Sequence, residues 1–178
     1  MRLNRRKVRD GGVSMTEKAF KEQTWRGKIG TLEEEELSSF LNEGILARLA
    51  VIDDKGFPYV NPVWFEWNAE DGTFWVIARK KSRWADYMKS NSKVGMTIDD
   101  DRTPLRKVVV QGNAEVIEEP NVGGQWVKIA ERMSLRYLGE NGPEYLVPTL
   151  DKPRWLFKIT PTTFTTWQGV DWHDRYKE

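Results

Sequence analysis

Between residues 31 and 44 the apolar positions fall three and four apart. Leu37, Phe40 and Leu41 share one face, Thr31 followed by Glu34 forms a capping-box pattern and Gly44 supplies a stop, so a helix is predicted over about 32–43. Beyond it the pattern changes to strands. Ile45 to Ile52 is an apolar run ended by Asp53-Asp54-Lys55-Gly56, a turn signal, and Phe57 to Trp67 follows as its hairpin partner. Thr73 to Arg79, Lys93 to Ile98, Leu105 to Ile117 and Arg154 to Trp167 complete a set of six strands. Pro58 and Pro62 remove ladder donors from the second strand and predict an edge, a bulge or an interruption there, and Gly112 predicts a bend in the fifth.

Two more helices punctuate this series. Ser82 can cap a short one on which Trp84, Tyr87 and Met88 share a face, ended by Ser90-Asn91-Ser92. Gln125 to Leu138 places Trp126, Ile129, Ala130, Met133 and Tyr137 at helical spacing. Mainly consecutive strands joined by short turns, with a helix inserted between the fifth and the sixth, predict a mainly β fold: a six-stranded antiparallel β-barrel with peripheral helices. Residues 1–23 are charged, poor in apolar residues and aperiodic, which predicts a mobile N-terminal tail with Met15 as an alternative start, followed by a single domain over 24–178.

Composition narrows the chemistry. With 28 basic and 27 acidic residues the net charge is +1, so no global field marks a nucleic-acid or membrane-surface binder, and any basic site must be local. No apolar run spans a bilayer and no secretory leader is recognisable, which predicts a cytoplasmic protein without membrane association. The absence of cysteine removes thiolate nucleophiles and cysteine-based metal sites, and the single histidine, His173, cannot build a multi-histidine metal site. No metal site and no catalytic side chain is therefore assigned. If the protein does redox work, a bound organic cofactor must carry it. Its 9 tryptophans suit stacking on planar ligands as well as core and interface packing.

One local feature carries chemistry. Arg79, Lys80, Lys81 and Arg83 place four cations within five residues at the junction of a strand and a helix. A phosphate held there would meet cationic side chains and free helix N-terminal amides together. Taken alone, the same charges fit a solvated basic turn.

The flanking segments add a resemblance. Gly56 to Phe65, then Phe74 to Ala78 with the basic turn, then Val108 to Gly112, resemble in order and spacing the pyridoxamine 5'-phosphate oxidase-like, FMN-binding split β-barrel superfamily, over roughly residues 31–170. The resemblance implies that Asn61, Pro62, Val63 and Trp64 line the flavin ring, that Val76, Ile77 and Ala78 run beside the ribityl chain, and that Arg79, Lys80, Lys81 and Ser82 take the phosphate. Lys81 matches the family lysine before the short helix, Lys80 an adjacent arginine of the oxidases, and Arg79 an arginine of deazaflavin-binding relatives. Lys107 stands where the true oxidases carry a cofactor-contacting glutamine, and their full substrate-binding set is not recognisable, so a true pyridoxamine 5'-phosphate oxidase is not expected. Trp167 and Trp172 lie in a segment similar to the oxidase ending and are candidates to pack on the isoalloxazine edge or to anchor a terminal strand.

By the same resemblance the chain is expected to be an FMN-dependent oxidoreductase acting on a small molecule, and a homodimer with the cofactor at the interface. The deazaflavin coenzyme F-420 is the alternative cofactor, with Arg79, Arg83, Lys89, Arg102, Arg106 and Lys107 available for its long anionic tail. A non-catalytic flavin carrier or sensor is the alternative function. Heme is less favoured, since His173 is the only obvious axial ligand.

Overall fold

A computed structural model describes residues 26–177. The charged segment 1–23, expected to be a tail, lies outside the described residues. Helix α1 (Glu34–Leu41) begins two residues later than the pattern predicts. Glu33 takes the N-cap position and forms the reciprocal capping box with Glu36, and the Thr31 carbonyl instead accepts a hydrogen bond from Gln168 Nε2 at 3.2 Å. Phe40 and Leu41, one turn from Leu37, are fully buried beneath the sheet that follows.

Seven strands, not six, form one antiparallel sheet: β1 (Ala47–Ile52), β2 (Pro58–Val63), β3 (Phe65–Asn68), β4 (Thr73–Arg79), β5 (Lys93–Asp100), β6 (Arg106–Asn121) and β7 (Arg154–Gln168), in the order β2-β1-β5-β6-β7-β4-β3. The extra strand arises because the segment expected as one strand is divided at Trp64. Val63 pairs with Ala47 of β1, whereas Phe65 pairs with Val76 of β4. The two ends of the sheet are thus consecutive pieces of chain joined by one residue, while the hydrogen-bonded ladder itself is not closed. The proline-bearing β2 is an edge strand, one of the places where missing ladder donors are tolerated.

Strand alternation sorts the side chains into two cores. On the inner face, Leu49, Val51, Phe65, Phe74, Val76, Met96, Ile98, Val110, Phe157 and Ile159 pack together with the side of α1. Helix α2 (Arg83–Ser90) adds Trp84, Ala85 and Met88 to the same core. On the outer face of β4 and β7, helix α3 (Trp126–Leu138) and the short α4 (Gly142–Leu146) cover Trp75, Ile77 and Leu156. Trp126, fully buried there, donates from Nε1 to the Asn121 side chain at 3.1 Å; truncation of so large a core side chain costs about 3–5 kcal/mol.

Gly112 marks the bend expected in the long fifth strand of the pattern, now β6. The register shifts between Gln111 and Gly112, and a Cβ at 112 would stand 2.6 Å from the Thr160 carbonyl oxygen of β7. Only glycine lets the two long strands approach so closely.

Candidate functional site

The chain switches ladders at Trp64, and this corner leaves backbone groups that the sheet cannot satisfy. Tyr137 of α3 supplies the missing partner. Its hydroxyl accepts from the Phe65 amide at 3.3 Å and donates to the Ile45 carbonyl at 3.0 Å. Burial pushes the phenol's pKa above its ordinary value despite the adjacent Arg136, which keeps the donor proton in place. Trp64 lies flat on the Tyr137 ring, with centroids 4.8 Å apart and planes at 6°.

Beside this corner, in the angle between the sheet and the α3–α4 helices, is a cavity of about 260 Å³. Asn61, Pro62, Val63 and Trp64 form one wall, Ile77 lines the cavity from β4, and Arg79, Arg154, Ser82 and Trp84 line it where β4 and β7 meet the start of α2. Ala130, Met133, Tyr145 and Leu146 form the helical wall. The site combines aromatic and aliphatic surface with a few polar groups, the usual chemistry of a small-molecule pocket.

Seven of the residues expected to bind cofactor line this cavity: Asn61, Pro62, Val63, Trp64, Ile77, Arg79 and Ser82. The other seven lie elsewhere. Val76 and Ala78 alternate with Ile77, so their side chains are buried in the inner core and they face the groove with backbone only. Lys80 and Lys81 are exposed on the turn, outside the cavity wall. The Lys80 backbone is tied down, its amide donating to the Pro153 carbonyl at 3.1 Å and its carbonyl accepting from Trp155 Nε1 at 3.3 Å. Ser82 occupies the N-cap position of α2, yet its side chain makes no capping hydrogen bond.

Lys107, Trp167 and Trp172 gather in a second groove, which shares no lining residue with the first. Lys107 and Trp167 are direct cross-strand partners of β6 and β7. Trp167 sits 5.5 Å from the His173 ring, and Trp172 is 69 % exposed. His173 caps a terminal turn through Nδ1, which accepts from the Arg175 amide at 3.2 Å. The cations considered for a long anionic tail are divided too. Lys89 pairs with Glu119 at 2.8 Å, and Arg106 with Glu43 and Asp100 at 2.5 and 2.7 Å. Arg102 is held by Asp100 at 2.8 Å, so these three do not form an open basic groove.

Arg154 and the helical wall were not legible as site residues. Arg154 opens the last strand after Pro153, with nothing local to distinguish it from any strand-edge cation; only the register of β7 against β4 brings it beside Arg79. Met133 reads as one of several core positions of α3, and Tyr145 lies in a segment without strong periodicity.

A family model described as pyridoxamine 5'-phosphate oxidase matches residues 33–168. Among solved structures, a conserved hypothetical protein from Mycobacterium tuberculosis is 23 % identical with a TM-score of 0.63, the match covering 80 % of this chain and 88 % of that one. A protein described as an F-420 reductase is 26 % identical with a TM-score of 0.58, covering 71 % of this chain and 94 % of its own. The heme storage protein HutZ from Vibrio cholerae is 22 % identical with a TM-score of 0.59, covering 79 % of this chain and 99 % of its own. None of the curated protein sequences matches significantly.

Proposed function

The chain belongs to the pyridoxamine 5'-phosphate oxidase family, and from that premise we propose that it is a flavin-dependent oxidoreductase with FMN as its cofactor. The observation that carries this reading is the convergence, in one cavity, of the β2 corner, the end of β4 and the start of α2. A planar ring can lie along Asn61 to Trp64, a polar chain can run past Ile77, and an anionic end can reach Arg79 and Ser82. The residues present fit such a group: the cavity offers apolar walls for a ring, and cations at one end for a phosphate.

When bound, the isoalloxazine supplies the hydride or electron transfer. The protein's part is binding and orientation. Trp64, fixed by its stack on Tyr137, would set the wall for the ring. Ser82, free of a capping bond, has its hydroxyl available to the ligand. Helices α3 and α4 and the sheet would exclude water from one side of a bound ring.

The cavity, at about 260 Å³, is slightly below the roughly 300–1,000 Å³ typical of small-molecule sites, so a flavin needs a second wall. A homodimer supplies it: the partner protomer's second groove, with its exposed tryptophan, would cover the outer side of the ring.

A second reading, the deazaflavin coenzyme F-420, is favoured by the likeness to an F-420 reductase and by Arg79, rather than Lys80 or Lys81, lining the cavity. The absorption spectrum of the purified protein, followed by titration with each cofactor, separates the two. Micromolar or tighter binding of FMN is expected; tight binding of only the deazaflavin moves the assignment to the second reading, and binding of neither overturns both. A cofactor that binds but is cycled by no reductant would identify a carrier.

A further inference from the structure

Strands β4 and β7 set Arg79 directly opposite Arg154. Both lie on the outer face, two pairs along the ladder from Ile77 and Leu156 and so the next pair on that face, where the cover of α3 and α4 ends and the cavity begins. Like charges directly opposite on a sheet destabilise it, and a carboxylate commonly neutralises them. Here, among the described residues, neither guanidinium has one. Elsewhere in the chain Arg48, Arg102, Arg106 and Arg132 each stand 2.5–2.8 Å from an acidic oxygen.

Arg154 is also held in position. Its terminal Nη2 donates to Thr149 Oγ1 at 2.6 Å, and its guanidinium carbon lies 5.3 Å from the centroid of the buried Trp126 ring. Its Nε is buried without a hydrogen-bond partner. Burial, followed by the neighbouring Arg79, pushes its pKa down from the ordinary arginine value, so the cation is in an environment that an anion would relieve.

We infer that Arg154 and Arg79 form a two-arginine clamp for the phosphate monoester of the molecule that occupies the cavity. Two cations, Arg154 held by its contacts and Arg79 beside it, balance a dianion, whereas a carboxylate would neutralise one and leave the other in excess. Ser82, without a capping bond, lines the same cavity and adds a neutral donor. The inference rests on the cofactor reading above and adds to it: the phosphate is gripped from the β7 side as well as from the basic turn, by a residue that the turn does not contain.

The test compares Arg154→Gln and Arg154→Lys with the unaltered full-length protein in titrations with FMN and with riboflavin, which lacks the phosphate. Arg154→Gln is expected to weaken FMN about tenfold or more while changing riboflavin affinity little, with Arg154→Lys intermediate because it keeps the charge and loses the planar fork. Without ligand, Arg154→Gln should melt at the same temperature as the unaltered protein or higher, because one of two facing cations is gone. Equal weakening of FMN and riboflavin, or unchanged FMN affinity, overturns the clamp. If the unaltered protein binds neither flavin, the flavin reading falls and inorganic pyrophosphate decides the clamp by itself. Pyrophosphate that raises the melting temperature of the unaltered protein but not of Arg154→Gln upholds it; any other result overturns it.

Discussion

Trp64 and Tyr137 lie face to face, the one at the point where the chain leaves one end of the sheet for the other, the other on the helix that seals that point. The Tyr137 hydroxyl bonds both to the Phe65 amide after the corner and to the Ile45 carbonyl before β1, so one side chain ties together the segments that frame the cavity. Replacing Tyr137 with Phe keeps the stack and removes both bonds. Urea unfolding should show a loss of about 1–3 kcal/mol, as expected when buried backbone groups lose their partner. An unchanged midpoint would mean that water replaces the hydroxyl without cost.

The lysines of the basic turn, which lie outside the cavity wall, act differently from the two arginines that line it. With both side chains in solvent, Lys80→Ala/Lys81→Ala should weaken FMN by roughly two- to tenfold, an effect that shrinks as salt rises. Titrations at low and high ionic strength check this. A loss that is large and independent of salt would place a lysine directly on the phosphate in the bound state.

Asp100, the last residue of β5, links stability to acid pH. Its side chain is 5 % exposed, and hydrogen bonds from Arg102, joined by Arg106, outweigh burial and hold its carboxyl well below the usual carboxylate range. A depressed carboxyl pKa in the folded state stabilises the fold above the unfolded value of about 4, and the contribution is lost as pH falls below it. Asp100→Asn should therefore cost about 2 kcal/mol at neutral pH, with the gap to the unaltered protein narrowing below about pH 4. Melting temperatures from pH 7 to pH 3 measure it; parallel curves would show that Asp100 does not contribute in this way.

Gly112→Ala drives a methyl into the Thr160 carbonyl across β6 and β7. A destabilisation of about 1–3 kcal/mol is expected, because the contact is with backbone and has no flexible side chain to yield. Thermal unfolding decides, and a variant as stable as the parent would show that the bend can open freely.

Much of the fold was legible in local patterns. Thr73 to Arg79 and the helix beginning beside Gln125 follow from periodicity, and the prolines of β2 exclude a central, uninterrupted strand before any pairing is known, leaving an edge, a bulge or an interruption, of which pairing selects the edge. The division at Trp64 was not legible, since Phe57 to Trp67 is continuous as a sequence of strand-forming residues and only pairing reveals that its two halves join different neighbours. For the same reason Val76 and Ala78 read as equal to Ile77, although alternation turns them into the core once the inner face is defined.

Most of the elements, the basic turn and the family to which their order belongs are written in the chain locally, because propensity, turn chemistry and motif spacing act over short stretches. Which cations meet is a matter of the folded sheet alone. Arg79 and Arg154 are 75 positions apart and share no local signal, but the antiparallel register of β4 and β7 places them opposite each other, with no carboxylate of the described residues paired to either. A clamp of this kind depends on pairing across strands, and pairing is set by the burial of whole faces rather than by either residue's neighbours.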